Sequence, residues 1–282
     1  MSQGIVIFAQ NNRQVDYIKL AVFAAKRAQQ HLGLPVSLIT DSRSWLEESY
    51  PHHPFDQIMD VDFSDISQHR VFYDGAMASK KVEWRNHTRS KIYNLTPYYT
   101  TLVIDSDYII NSSQLKPAFS RDADLQIYSN SMDLAGWRNT SEFDRINPYS
   151  IKFYWATAFI FQKNSTTQAF FDLVSYIKSN WKYFRMLYNI DTTLFRNDFA
   201  FSIAIHMMDK QAEGMFSLEL PGTMVYVKDR DLLVSTYQNK MKFLLEKEKY
   251  PGEYTLAKTN GLDVHVMNKI SLARYIDGGS GV

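Results

Sequence analysis

The sequence contains no cysteine, which excludes a disulfide framework, a thiolate metal site and a cysteine nucleophile. Any metal must therefore be held by oxygen and imidazole ligands, and the composition suits a reducing compartment. There is also almost no net charge: 31 Lys+Arg against 30 Asp+Glu give +1, without the global basic excess of a protein whose main task is gripping phosphate backbones. No window approaches ~18 uninterrupted apolar residues, and the N-terminus runs directly into a strand-like segment, so the expectation is a soluble, cytoplasmic chain with no membrane span. Internal repeats and Gly/Ser/Pro-rich linkers are missing as well.

What is present is ample material for a core, 45% hydrophobic residues in a chain of 282. Gly4-Ile5-Val6-Ile7-Phe8-Ala9 is a short continuous apolar run, the pattern of a strand buried on both faces of a parallel sheet. Helical spacing follows over 15–31, closed by Gly33 and Pro35, and then Val36-Ser37-Leu38-Ile39-Thr40 reads as a second strand ending at Asp41. This is one βαβ unit. Residues 42–71 read as irregular apart from a short strand at 58–61, and the basic stretch 77–95 reads as helical toward its end. Further strands are expected at 101–104, 125–128, 157–161 and 263–269, and helices at 166–181, at 199–208 behind an Asn197-Asp198 N-cap, and at 232–249. The expectation is an α/β fold in one domain over 1–277, with a binding half over about 1–110, an acceptor-side half over about 111–277, and a flexible Gly/Ser tail at 278–282.

The strongest chemical signal is Leu102-Val103-Ile104-Asp105-Ser106-Asp107, an apolar strand emptying into two carboxylates one residue apart. In open parallel sheets ligands bind beyond the carboxyl ends of the strands, where both Asp41 and Asp105 are expected. Carboxylates at this spacing can share a hard divalent cation and leave positions open for phosphate oxygens. A glycoside hydrolase also uses two carboxylates, but they must flank a sugar from opposite sides, and residues 105 and 107 are too close for that.

The opening strand, the Asp ending the second strand, and Lys91-Ile92-Tyr93-Asn94-Leu95-Thr96-Pro97-Tyr98-Tyr99 leading into Leu-Val-Ile-Asp-Ser-Asp together resemble the GT-A fold nucleotide-diphospho-sugar transferases, in the branch that includes glycogenin and bacterial galactosyltransferases. The resemblance implies a Rossmann-like, mostly parallel sheet flanked by helices, with an elaborated C-terminal part. It implies Mn²⁺ or Mg²⁺ on Asp105 and Asp107, and donor binding by Ala9, Gln10, Asn11, Asp41, Lys91 and Ser106. Late in the chain, Val264-His265-Val266-Met267-Asn268-Lys269 resembles the branch's element carrying a third metal ligand, His265, and a diphosphate-binding lysine, Lys269, and with it retention of anomeric configuration. Ala156 stands where the family lines the donor sugar, and Asp198 resembles the acidic residue beside the acceptor, giving a candidate catalytic group. This sequence lacks the family's glycine spacing and its Lys-Pro-Trp ending near His265, and has Trp155-Ala156-Thr157 in place of Asn-Ala-Gly.

The implied activity is transfer of a sugar from a nucleotide-diphosphate sugar, a UDP-sugar first among them, to a hydroxyl acceptor. Two aromatic-basic stretches, Lys152-Phe153-Tyr154-Trp155 and Trp181-Lys182-Tyr183-Phe184-Arg185, and the basic run Lys80, Lys81, Arg85, Arg89, Lys91 admit either a glycan or a hydroxymethylated base in DNA as acceptor, as in phage DNA modification. The competing classes are a nucleotidyltransferase and a non-catalytic nucleotide- or sugar-binding module. The first needs a glycine-rich loop after the opening strand, where this chain has Gln10-Asn11-Asn12-Arg13-Gln14.

Overall fold

The structure, a computed structural model, describes residues 1–12, 14–61, 68–84, 89–138, 143–210 and 214–278. Arg13, Arg85 and the tail 279–282 lie outside the described residues. In chain order the elements are β1 (Gln3–Phe8), α1 (Tyr17–Leu32), β2 (Val36–Thr40), α2 (Arg43–Ser49), β3 (Gln57–Asp60), β4 (Gln68–Tyr73), β5 (Ser79–Trp84), α3 (Ile92–Leu95), β6 (Thr100–Asp105), β7 (Tyr108–Ile109), β8 (Leu125–Tyr128), β9 (Ser131–Asp133), β10 (Trp155–Gln162), α4 (Ser165–Ser179), α5 (Trp181–Leu187), α6 (Asn197–Met208), β11 (Ser217–Glu219), β12 (Met224–Val227), β13 (Leu232–Tyr237), β14 (Lys240–Lys247), β15 (Tyr250–Asn260), β16 (Val264–Val266) and α7 (Lys269–Gly278).

The central sheet has seven strands in the order β11-β8-β10-β6-β1-β2-β3. Strands β3, β2, β1 and β6 are mutually parallel, and β10 alone runs against its neighbours β6 and β8. This is the expected mainly parallel α/β architecture with flanking helices. The apolar run Ile5-Val6-Ile7 is wholly buried, as a strand covered on both faces requires. Gly4 answers a steric demand, since a Cβ there would meet the Tyr98 ring at 2.3 Å. That close approach lets the Tyr98 hydroxyl bond Ser37 on β2 at 2.7 Å. Helix α1 starts where the Asp16 side chain accepts the Lys19 N–H at 2.9 Å and stops at Gly33, whose left-handed φ of 69° closes the C-cap. Helices α4 and α6 are pinned to β10 by packed rings, with Phe159–Phe201 centroids 5.0 Å apart and Phe161–Phe171 4.9 Å.

Three smaller sheets elaborate this frame: β7-β16-β12-β9, the meander β13-β14-β15 and the hairpin β4-β5. The meander overturns the helix expected over 232–249. The residues alternate instead, with Met241, Phe243 and Leu245 buried and Lys240 and Lys242 exposed, and Gln238 at φ 52° turns the chain between β13 and β14. Period two and the β-branched run of 232–237 outweighed the charged residues that suggested an exposed helix. Likewise 77–95 is half strand: Ser79–Trp84 pairs with β4 before a single 3₁₀ turn, Arg89–Lys91, leads into α3. The strand expected over 263–269 stops at Val266, and Lys269 opens α7. Among the described residues no helix is long and apolar enough to cross a membrane.

The C-terminal part is fastened by a buried ionic knot. Arg138 reaches Asp133 on β9 at 2.7 and 2.8 Å and Asp231 at 2.7 and 2.9 Å, and Asp231 also accepts the N–H groups of Lys228 and Glu246. All three side chains are almost inaccessible. Removing the cation leaves two buried carboxylates uncompensated. Arg138→Met is therefore expected to lower the free energy of unfolding by about 3–5 kcal/mol, read as a drop in urea midpoint.

A second buried carboxylate is less well served. Asp263, 4% exposed, accepts the Asn111 N–H at 2.7 Å through its Oδ1. Burial pushes its pKa up to about 6, against the opposing pull of the Asn111 N–H and Arg27. A pKa raised above the unfolded value of about 3.9 means stabilisation that is complete below pH ~4 and lost as pH rises through 6. Asp263→Asn keeps the acceptor and removes the titration. Its stability relative to wild type is expected to grow by about 2–3 kcal/mol between pH 4 and 7 in urea titrations, and a pH-independent difference would refute the assignment.

Candidate metal and diphosphate site

The site begins where β6 runs out of the central sheet. In the β1·β6 register Asp105 stands opposite Phe8, so it leaves the sheet at the carboxyl edge of the parallel strands. Ser106 and Asp107 form the turn into β7, which pairs antiparallel with β16 so that Tyr108 faces His265. The Val266 N–H donates to the Asp107 carbonyl at 2.9 Å. This backbone bond brings two segments separated by some 160 residues of chain to one point. The Trp155 ring, edge-on to His265 at 5.9 Å and tilted against Tyr226 at 5.3 Å, holds the imidazole from behind.

Asp105, Asp107 and His265 each offer a ligand atom, and these atoms lie within 4.8 Å of one another. The set of two carboxylates and an imidazole suits a hard to borderline divalent ion such as Mg²⁺ or Mn²⁺. One observation of this chain supports the fit: the His265 Nδ1 is buried without a hydrogen-bond partner. A second is the charge crowding around the carboxylates. Lys269 Nζ lies 2.5 Å from the Asp107 Oδ2, with the His265 Nε2 at 3.4 Å, and Arg89 pairs with Asp105. Burial would raise the Asp107 pKa, but Lys269 and His265 outweigh it and hold the carboxyl below its ordinary range. Asp105 goes the other way, raised by burial and by the charge on Asp107 against the pull of Arg89. A dication would favour the ionised form of both.

A cleft of about 1090 Å³, including its open mouth, extends from this cluster. Gln10 and Asn11 line it, as expected, together with Ser106, Asp198 and Lys269. The buried Ala9 and Ala156 stand behind its wall. The Ala156 peptide is a bridge: its carbonyl accepts from Arg89 and its N–H donates to the Asp198 Oδ1 at 3.0 Å. Asp198 is not the helix cap that the sequence suggested, because Arg196 occupies the N-cap position of α6. The Asp198 Oδ2 accepts from the Arg196 guanidinium at 2.8 and 3.2 Å.

Two expected donor residues are placed elsewhere. Asp41 follows β2 at the right edge of the sheet, but it is exposed, bonded to the Ser42 hydroxyl, and does not line the cleft. Lys91 is exposed as well, and Arg89, two residues earlier and 2% exposed, is the cation that turns inward. In a basic run the sequence could not say which member the 3₁₀ turn would point at the carboxylates. Tyr17, Arg70 and Arg196 also line the cleft without a signal in the sequence, since hairpin and helix starts bring them there. Of the aromatic-basic stretches, Phe153 and Tyr154 are buried, whereas Lys182 and Tyr183 are exposed on α5 away from the cleft.

No protein-family model and no curated protein matches the chain. Among solved structures it is similar to the galactosyltransferase LgtC in complex with donor and acceptor sugar analogues, at 14% identity over 77% of this chain and 72% of that one, with a TM-score of 0.48. It is similar to the glycosyltransferase GlyE of Streptococcus pneumoniae TIGR4, at 12% identity over 78% of this chain and 45% of that one, TM-score 0.44. The inositol-1-phosphate CTP transferase from T. maritima is similar at 11% identity over 78% of this chain and 85% of that one, TM-score 0.44. These are likenesses of architecture to GT-A type glycosyltransferases and to a nucleotidyltransferase, and what the cleft does is read from its own side chains.

Proposed function

We propose that the protein is a metal-dependent glycosyltransferase that moves a sugar from a nucleotide-diphosphate sugar, a UDP-sugar in the first instance, to a hydroxyl acceptor. The observation that carries this reading is the Asp105, Asp107, His265 cluster with Lys269 on its flank, at the carboxyl edge of the parallel strands. A bound Mn²⁺ or Mg²⁺ supplies Lewis-acid stabilisation of the departing diphosphate. Lys269 adds a mobile point charge for the same oxygens, and Arg89 fixes the orientation of Asp105. Asp198 has both oxygens engaged, by a peptide N–H and a guanidinium. That arrangement suits a fixed negative charge facing a cationic anomeric carbon better than a free general base, in keeping with retention of configuration.

The nucleotidyltransferase alternative is disfavoured by the loop after β1. The Asn12 side chain accepts the N–H groups of Gln14 and Val15 at 2.8 Å, and Asn11 accepts that of Ile18 at 2.9 Å. Amides that would cradle a triphosphate at the start of α1 are thus already committed. For the acceptor, a glycan hydroxyl or a hydroxymethylated base in DNA, burial of Phe153 and Tyr154 removes one surface on which either would stack.

A thermal-shift panel of UDP, GDP, CMP and dTDP, with and without Mn²⁺, tests the donor site. One nucleotide is expected to stabilise the protein by roughly 2–3 kcal/mol at a hundredfold excess over Kd, only with metal, and not in the Asp105→Ala/Asp107→Ala double variant. No metal-linked shift with any nucleotide would sink the reading. Asp198→Asn is expected to slow release of the nucleoside diphosphate from its sugar by ~10²-fold or more, with donor affinity changed far less. Unaltered turnover would remove Asp198 from the chemistry.

A further inference from the structure

The cleft is lined by four basic side chains, Arg70, Arg89, Arg196 and Lys269, and by four carboxylates, Glu83, Asp105, Asp107 and Asp198. Arg89 is paired with Asp105, Lys269 with Asp107, and Arg196 with Asp198. Arg70, on β4, is different. It lines the same cleft, and among the described residues its guanidinium has neither a hydrogen bond nor an ion pair. It lies over the Phe72 ring at 5.3 Å, and Lys269 Nζ approaches that ring at 5.2 Å. The hairpin register sets Arg70 opposite Val82, with Glu83 opposite His69, so the facing strand brings no counter-charge directly across from it. Burial, and then the like charge of Arg196, lower its pKa, while Asp229 and Asp198 pull the other way without forming an ion pair with it.

The surroundings of Arg70 are short of acceptors. Among the described residues the Tyr17 hydroxyl and the Gln10 Nε2 are buried without hydrogen-bond partners, and both residues line this cleft. A largely buried guanidinium, a phenol and an amide, all with unused donors, match an anion that the protein itself does not provide. The inference rests on the glycosyltransferase reading. A divalent ion offsets Asp105 and Asp107, and a nucleotide-sugar diphosphate of about two negative charges offsets Lys269 and Arg89. Arg196 keeps Asp198, and Arg70 alone of the four basic side chains has no ion pair among the described residues.

We propose that Arg70, assisted by Tyr17, recognises a second anionic group, a carboxylate or phosphate carried by the transferred sugar or by the acceptor, distinct from the diphosphate of the donor. The protein is then selective for an acidic substrate over its neutral counterpart.

Isothermal titration of the full chain with Mn²⁺ tests this, using UDP, UDP-glucose and UDP-glucuronate, and, at saturating UDP, glucose and glucose 6-phosphate. The proteins are wild type, Arg70→Gln and Arg70→Lys. In at least one pair the anionic member is expected to bind wild type about tenfold tighter than the neutral one. The ratio should fall to near one in Arg70→Gln and recover in part in Arg70→Lys. The pair that responds tells whether the acid sits on the donor sugar or on the acceptor. Because each ratio is taken within one protein, a general loss of fold cancels. A wild-type ratio near one in both pairs, or a preference that survives Arg70→Gln, overturns the proposal. Metal-linked binding of UDP without any anion preference overturns this inference alone, whereas absence of metal-linked nucleotide binding overturns the glycosyltransferase reading and this inference with it.

Discussion

The structure depends on the problem of keeping two carboxylates, Asp105 and Asp107, at the end of a buried strand. Two adjacent buried negative charges repel each other and lose hydration, and a fold that keeps them must surround them with fixed cations. Those cations come from distant parts of the chain: Arg89 from the 3₁₀ turn before α3, and Lys269 from the first residue of α7. Asp107 also belongs to the junction between the central sheet and the four-stranded sheet, through the Val266 N–H bond to its carbonyl. Charge compensation and the joining of the sheets are thus one constraint at one place.

From that junction the rest of the cleft follows by short links. Arg89 cannot satisfy Asp105 without also meeting the Ala156 carbonyl, and the N–H of that residue fixes Asp198. The ends of β6, β10 and α6 are therefore coupled through one peptide unit, and the metal side of the cleft is tied to the side facing the sugar. The ring cluster of Trp155, Tyr226 and Phe143 does for His265 what Arg89 does for Asp105. The ionic knot of Arg138 with Asp133 and Asp231 lies further out and holds β9 to the segment that precedes β13.

The parts legible in the sequence were those where a local pattern and the tertiary outcome obey the same rule. The run Ile5-Val6-Ile7 is a buried strand because nothing polar interrupts it, and β6 ends at Asp105, where the apolar run gives way to the Asp105-Ser106-Asp107 turn. His265 and Lys269 were legible only through family resemblance, since their proximity to Asp107 depends on pairing across the whole chain. Lys91 and Arg89 are indistinguishable by composition, and a single 3₁₀ turn decides which one points inward. Arg70 had no signal at all, because it lies in a stretch that read as irregular and acquires its place from hairpin pairing. The stretch 232–249 was misread because its charged residues, gathered over 240–249, resemble the solvated face of a helix until the alternating burial of Met241, Phe243 and Leu245 is known.

These ion pairs also say how such a cleft can be stable when empty and receptive when filled. In the metal-free protein, Lys269 and Arg89 neutralise the carboxylates that a dication would otherwise satisfy. With a dication held by Asp105 and Asp107, the hold of those carboxylates on the two cations would weaken. Lys269, on a flexible four-carbon stem, is the freer to turn, whereas Arg89 stays anchored by the Ala156 carbonyl. On the glycosyltransferase reading, binding of metal and diphosphate would then be an exchange of partners within a site whose total charge changes little. Arg70 stands outside that exchange because, among the described residues, no carboxylate pairs with it, so its charge would be available before any ligand arrives. On that reading such a cleft would select its substrate first by Arg70 and only then by the cations that metal binding would set free.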